Sequence, residues 1–404
     1  MPKTWQRVRF GDVVNDVNEV ERNPLEAGLD RYIGLEHIEP ENLHIKQWGD
    51  LTVDEVSFTK RFRKGQVLFG KRRAYQKKVA VADFDGICSS DILTLEPKGD
   101  ALLPELLPFI VQSDGFFEHA LGTSSGSLSP RTRWSQLQNY EFPLSPKDEQ
   151  RRIAEILWAA DEAVYAYISA NQNLTTISTH LLTKFTTTGC GTPTLSATAL
   201  GNIASHWTVE TIESVTSLCQ YGLSIPLHEA GAYPILRMMN FDDGEIVAND
   251  LKYVDLDERE YREFRLEPSD ILFNRTNSAE LVGKVGIFRL DGDYVFASYL
   301  VRLRADSRKI LPDYLNAYLN SELGQQRLRA YATPGVSQTN ISAGNLKKVL
   351  IPVPPLDEQT QILKALKDLR TGERQTRTHV QTLCTLKKRL MAELLHSVGA
   401  CDVH

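Results

Sequence analysis

Two kinds of segment carry residues that could do chemistry, and each kind occurs twice. The first comprises Lys71, Arg72, Arg73, Gln76, Lys77 and Lys78, which follow the apolar run Val67-Leu-Phe69. Arginine and lysine neutralise phosphates and donate to guanine edges, and glutamine pairs with adenine through its amide. The matching place in the second half, after Ile271-Leu-Phe273, holds Asn274, Arg275, Thr276, Asn277 and Lys284. The second kind is small, polar and glycine-bearing. Residues 122–134 read GTSSGSLSPRTRW and offer Ser125, Ser127, Arg131 and Arg133. Residues 333–345 read TPGVSQTNISAGN and offer Ser337, Gln338 and Asn340. Glycine lets a backbone approach a phosphate closely, and small polar side chains donate to it. Taken singly, the first kind is a solvated basic face and the second a polar turn. Recurrence at the same place in both halves argues for a shared task, which is binding.

Catalytic constellations are missing from the sequence. There is no G-x-x-x-x-G-K-[ST] phosphate loop, no glycine-rich dinucleotide turn and no G-x-S-x-G elbow. There is no H-x-x-x-H helix and no Cys/His cluster with metal spacing. The Asn-Pro-Pro-aromatic run of adenine methylases is replaced by Asn23-Pro24-Leu25, which reads as a turn. Asp270, Glu280 and Lys284 loosely match an acid-acid-lysine nuclease set, but their spacing does not.

The segments must be positioned by a repeated frame. Pro143-Leu-Ser-Pro-Lys-Asp-Glu-Gln150 returns as Pro352-Val-Pro-Pro-Leu-Asp-Glu-Gln359, an offset of 209 residues. Upstream the offset shrinks to 204 at Val67 and Ile271 and to 202 at Trp5 and Trp207, as diverged loops in a duplicated domain would produce. After each Asp-Glu-Gln the apolar residues recur every seven positions. Ile153, Ala160, Tyr167, Leu174 and Leu181 lead in the first half, each of the first four followed three residues later by Ile156, Ala163, Ala170 and Ile177. Adding the same offset gives Ile362, Leu369, Thr376, Leu383 and Leu390, with Ala365, Gly372, His379 and Leu386. These are a/d positions of a coiled coil. Each helix should run roughly 35–45 residues, about 50–65 Å at the α-helical rise. Pro146 and Pro355 stand before the starts, and Gly189 and Gly399 are suited to the stops.

The expected order is a globular domain over 1–144, a helix over 145–189, a linker over 190–205, a second domain over 206–353 and a second helix over 354–399. The linker reading rests on the turn-rich GCGTPTLSATALGNIA. Short β-branched runs such as GQVLFGK, ILTLEP, DILFNR, KVGIFRL and YVFASYLVRLR predict strands, and 101–122 and 310–332 predict helices. The fold class is therefore α/β (α+β), two domains in tandem, with the helices paired as an antiparallel coiled coil about an internal pseudo-two-fold.

The net charge of −6 opposes nucleic-acid binding when taken alone, but charge is sorted along the chain. Residues 60–78 hold nine bases and no acid, whereas 242–270 hold eleven acids and four bases. The five cysteines, without a C-x-x-C pair, suit a reducing compartment. The N-terminus has no apolar signal region and no stretch is long enough to cross a membrane, so a cytoplasmic location is expected.

The duplicated PLSPKDEQ and PVPPLDEQ, the stretch GVSQTNIS at 335–342 and the strand DILF at 270–273, in this repeated layout, resemble the specificity subunits of type I restriction-modification enzymes. The resemblance covers essentially the whole chain. It implies two target-recognition domains, each reading one part of a split, asymmetric site in double-stranded DNA, and spacer helices that set the gap between the parts. It also implies assembly with two methyltransferase subunits and with restriction (motor) subunits. S-adenosylmethionine, ATP and magnesium are then used by those partners, with no cofactor and no catalytic residue on this chain. The first half departs from the pattern, with GSLSPRT where the second has GVSQTNIS. The competing reading is a coiled-coil scaffold that joins proteins without reading DNA, which the acidic charge favours. A further alternative is an enzyme whose nuclease or methylase site goes unrecognised.

Overall fold

The computed structural model describes residues 5–124, 130–191, 193–278, 282–334 and 338–395. The chain divides into two compact units, Met1–Asn171 with Thr376–His404, and Gln172–Gln375. Each unit therefore contains one globular domain, part of one long helix and part of the other.

In the first unit, Val14–Asp16, Ile92–Pro97, Val67–Gly70 and Val79–Val81 form a four-stranded antiparallel sheet in that order. A second sheet runs Gly49–Asp50, Arg31–Ile33, Gly86–Cys88 and Lys60–Phe62, with one parallel pair. The strands are short and rich in β-branched and aromatic residues, which suits pleated, buried surfaces. Helices Leu107–Gln112 and Asp114–Gly122 cover the first sheet, and Phe69, Phe109, Phe116 and Phe117 are buried together there. Gln6–Arg9 pairs with Glu141–Leu144, tying the start of the domain to its end.

The second unit repeats the plan. Thr216–Tyr221, Leu300–Ala305, Ile271–Asn274 and Val285–Ile287 are neighbours in the main sheet. Thr208–Thr211 closes on Leu350–Val353. Helices Pro312–Asn320 and Glu322–Ala330 correspond to the pair in the first unit. Each helix pair is broken at a serine. Ser113 accepts from Phe116 N–H and donates to Ile110 C=O, and Ser321 accepts from Gly324 N–H and donates to Tyr318 C=O. One hydroxyl thus stops one helix and caps the next, and such a cap contributes about 1 kcal/mol.

The long helices are Lys147–Thr188 and Leu356–Leu395. Gly189, at φ 71°, ends the first as expected. Gly399, offered as the stop of the second, lies outside the described residues. The glutamine of each Asp-Glu-Gln is buried and locks the first turn of its helix onto the domain. Gln150 accepts from Leu103 N–H at 2.9 Å and donates to Ala101 C=O at 2.9 Å and Ser145 C=O at 2.8 Å. Gln359 repeats this with Leu311 N–H at 2.7 Å, Lys309 C=O at 3.1 Å and Pro354 C=O at 2.8 Å. The preceding glutamates, Glu149 and Glu358, accept from the indoles of Trp5 and Trp207, both at 2.9 Å.

Within each unit the two helices run antiparallel. Tyr167 lies beside His379 and Asp161 beside Lys387 in the first, and Leu174 beside Gly372 in the second. The seven-residue repeat holds, but its inner face differs from the expected one. Tyr167, Ile177 and Leu386 are exposed, whereas Ala154, Leu157, Asp161, Val164 and Lys387 are buried. In the first helix the buried positions 154, 157, 161 and 164 each lie one residue after the expected 153, 156, 160 and 163. Hydropathy assigns Asp161 and Lys387 to solvent, yet they pair inside, with Lys387 also donating to Gln112 at 2.8 Å and His44 Nε2 standing 2.9 Å from Asp161. A second difference concerns residues 190–205. In place of a linker, Leu195–Thr198 and Gly201–Ala204 form a hairpin whose Leu200, Ile203 and Ala204 join the core of the second unit.

Two measurements test these contacts. Gln359→Leu leaves unpaired a half-buried N–H and two carbonyls, of which the Pro354 carbonyl is in a buried bond, and should lower stability by on the order of 2 kcal/mol in urea unfolding followed by tryptophan fluorescence. An unchanged midpoint would remove the clamp. For Asp161, burial raises the carboxyl pKa, but hydrogen bonds from His44 and the charge and hydrogen bond of Lys387 outweigh it, and the net shift is downward. Its contribution is therefore full above the ordinary carboxylate value of about 3.9 and is lost as pH falls through the lower folded value. Asp161→Asn should be less stable than the parent at pH 7, with the gap closing below about pH 4. A gap that stays constant down to pH 3 would contradict this.

Candidate nucleic-acid interface

The two kinds of segment, more than forty residues apart in sequence, are side by side in both units. In the first, Arg72 and Arg131 form an antiparallel bridge, Thr132 N–H donates to Lys71 C=O at 3.0 Å, and Arg73 N–H to Pro130 C=O at 2.8 Å. In the second, Thr276–Asn277 pairs with Thr339–Asn340, which pairs in turn with Thr333–Pro334, and Ile341 N–H donates to Arg275 C=O at 2.9 Å. The bridge Arg72–Arg131 and the pair Thr276–Asn340 occupy equivalent places, related by the offsets 204 and 209 seen in the sequence. One backbone platform is thus built twice and carries different side chains.

On the first platform, Arg73 and Lys77 have φ of 55° and 50° and flank a turn over Ala74–Gln76, whose Ala74 is buried. Non-glycine residues adopt this conformation rarely, so the loop holds a specific shape. Arg131 Nε lies 3.0 Å from Asp91, and Arg72 lies 3.6 Å from the same carboxylate. Gln76 is half-buried, and Arg133 is exposed. Lys71 is half-buried with no ion pair among the described residues, and burial, reinforced by nearby Lys60, pushes its ammonium pKa below the usual range. Two expected contacts are held elsewhere. Lys77 pairs with Asp114 at 2.6 Å, and Lys78 donates to Leu35 C=O at 2.6 Å, so both brace the loop. Ser125 and Ser127 lie outside the described residues.

On the second platform, Asn274 is wholly buried within its strand, and neither atom of its amide has a partner among the described residues. It is therefore not an exposed contact as the sequence suggested. Arg275 is half-buried, packs over Tyr221 at 4.9 Å, and donates to Ser298 C=O at 2.9 Å and Asn340 Oδ1 at 3.3 Å. Asn340 donates to Thr276 Oγ1 at 3.2 Å. Arg275 and Asn340 thus hold the platform together. Asn277 is half-buried, Lys284 and Gln338 are exposed, and Ser337 lies outside the described residues.

The charge runs are less bare than the sequence suggests. Lys60 pairs with Asp16 at 3.0 Å, and Arg61 and Arg63 with Glu19 at 3.6 and 2.9 Å. In the acidic stretch, Asp257 and Glu260 form a capping box, Asp250 pairs with Arg237, and Asp270 is buried against Arg304 at 2.7 Å. Asp270 is thereby a structural anion, and Glu280 of the loose nuclease set lies outside the described residues. No group of three or more His, Cys, Asp or Glu suited to a metal ion occurs among the described residues, and no helix there is long and apolar enough to cross a membrane.

Sequence reasoning missed Asp91, which orients two arginines, and Tyr75, which stands 56% exposed at the tip of the basic loop. An aromatic inside a basic run was a readable signal for Tyr75. No local signal marked Asp91.

The sequence matches the family described as Type I restriction modification DNA specificity domain over residues 2–175 and again over 205–381. The putative type I restriction enzyme MjaX specificity subunit of Methanocaldococcus jannaschii is 32% identical over 201 residues, 49% of this chain and 47% of that protein. The type I restriction enzyme EcoKI specificity subunit of Escherichia coli is 26% identical over 189 residues, 45% and 40% respectively. The matched region spans less than half the length of either relative. A chain from a solved type I restriction-modification system shares the fold with a TM-score of 0.60 at 19% identity, covering 98% of both chains. The S subunit from M. genitalium does so at 0.54 and 16% identity, covering 97% of this chain and 96% of that one. With two tandem matches that together take in most of its length, the chain belongs to the type I restriction-modification DNA specificity family.

Proposed function

We propose that this chain is the sequence-reading, non-catalytic subunit of a type I restriction-modification enzyme, acting on double-stranded DNA in the cytoplasm. The observation that carries this is the twice-built platform. Its central backbone pairing repeats, while its side chains differ: Lys71, Arg72 and Arg131 on one copy, Arg275, Thr276 and Asn340 at the corresponding places on the other. Backbone contacts position a protein on DNA, and side chains at base edges specify sequence. Two unlike readers on like frames suit a bipartite, asymmetric target. The relatives are specificity subunits of type I restriction enzymes, which supports assembly of this chain with two methyltransferase subunits and with restriction subunits. On this reading S-adenosylmethionine, ATP and magnesium are used by those partners and none is held here.

The test exchanges residues 1–144 for the matching domain of a relative and reads the methylated-adenine motif of a host expressing the assembly. One part of a two-part motif should change and the other stay. A change in both parts, or an undivided motif, would sink the reading. Retention of duplex by the chain with its methyltransferase should also fall steeply between about 50 and about 200 mM salt, as phosphate contacts require. A scaffold that does not read DNA would show no specific retention at any salt.

A further inference from the structure

An open cleft of about 710 Å³ lies beside the first platform, lined by Asn18, Lys60, Lys71, Arg131, Arg133 and Trp134 among others. Its position in the fold has an exact counterpart in the second unit. Asp16 pairs with Leu95, and Val67 with Leu95; Cys219 pairs with Leu303, and Ile271 with Leu303. Asp16 thus corresponds to Cys219 and, two residues on, Asn18 to Tyr221. Lys71 N–H donates to Asp91 C=O as Arg275 N–H donates to Tyr299 C=O, so Lys71 corresponds to Arg275. Thr132 corresponds to Ile341 by the same bonds, which places Arg131 opposite Asn340 and Trp134 opposite Ala343.

The second unit fills this place with its own ring. Tyr221 lies under the Arg275 guanidinium at 4.9 Å, and its hydroxyl accepts from Ala343 N–H at 2.8 Å. The first unit has no such ring. Asn18 is exposed and donates to Asp16 at 3.2 Å, and a larger aromatic, Trp134, also lines the cleft. The acids of the cleft are already matched, Asp16 by Lys60 and Glu19 by Arg61 and Arg63, and Arg131 is matched by Asp91. Lys71 and Arg133 are the cations of the cleft with no ion pair among the described residues. The volume falls within the ~300–1,000 Å³ typical of small-molecule sites.

We propose that this cleft seats one nucleotide, its phosphate between Lys71 and Arg133 and its base against Trp134, where the second unit places Tyr221. An aromatic ring beside a cation is what the second unit supplies from within, and a nucleotide supplies the same from outside together with the anion that Lys71 and Arg133 lack. The nucleotide comes either from DNA held on the platform, in which case the inference rests on the function proposed above, or free from solution.

The full chain is titrated calorimetrically with 2′-deoxyadenosine 5′-monophosphate, beside Asn18→Tyr and Lys71→Ala chains. The same three proteins are assayed for retention of duplex carrying the host's methylated motif. Asn18→Tyr places in the first unit the ring that the second already accommodates. Binding of the mononucleotide should weaken at least about tenfold in each variant. Parallel weakening of duplex retention supports the seat with DNA as the source, and unchanged retention supports it with free nucleotide as the source. Should Asn18→Tyr not fold, as judged by circular dichroism, Lys71→Ala carries the comparison. No mononucleotide binding by the parent chain, or binding that folded variants leave unchanged, overturns the seat. Failure of the parent chain to retain duplex counts against the DNA-reading function and leaves the mononucleotide titration to decide the seat by itself.

Discussion

A buried primary amide at the start of each long helix fixes what the rest of each unit can do. Gln150 and Gln359 each accept one backbone N–H and donate to two carbonyls, from the chain just before the helix pair and from the approach to the long helix. Only an amide side chain both accepts and donates twice from one planar group. A glutamate would present two acceptors to two carbonyls, and a leucine would strand three backbone groups, one of them in a buried bond. The clamp orients the long helix against the domain, and the neighbouring glutamates add a second point of attachment through Trp5 and Trp207. The residues most visibly duplicated in the sequence are therefore the joints of the molecule, and they stand apart from the platforms.

The joints were legible because backbone geometry dictates them identically in both halves. A proline-rich approach, two acids in the first turn and a glutamine leave little room for substitution, so the repeat could be read from one chain. The strands at Val67 and Ile271 were legible for the same reason. The inner face of the helices was not. A heptad read by hydropathy discards Asp161 and Lys387, and a buried ion pair with added partners in Gln112 and His44 is stable only in a context that the sequence does not display. The hairpin over 195–204 was hidden by composition, since threonine, serine and glycine serve strands and turns as well as linkers.

The candidate site was legible as segments but not as a surface. Placing two segments in each half was possible because both sit at fixed distances from the repeated frame. That they pair with one another, Arg72 with Arg131 and Thr276 with Asn340, follows from long-range sheet register, which no local spacing encodes. Nor does residue type reveal which polar groups are already engaged. Lys77, Lys78, Arg275 and Asn340 all look available in the sequence, yet each is bonded within its own domain.

On the function proposed above, that engagement bears on how an acidic chain would read DNA. A chain with a net charge of −6 is poorly retained by phosphate alone, since non-specific affinity scales with the number of phosphates neutralised. Around the first platform, Asp91, Asp114 and Glu19 offset much of the basic run while holding its side chains in place. An arginine already oriented by a carboxylate loses less conformational entropy on meeting a base edge than a free one does. On that reading the paired acids would lower affinity for any duplex and lower the entropic cost of the right one. Discrimination between sequences is a difference of affinities, and a platform that is weakly cationic overall but rigid in its donors enlarges that difference.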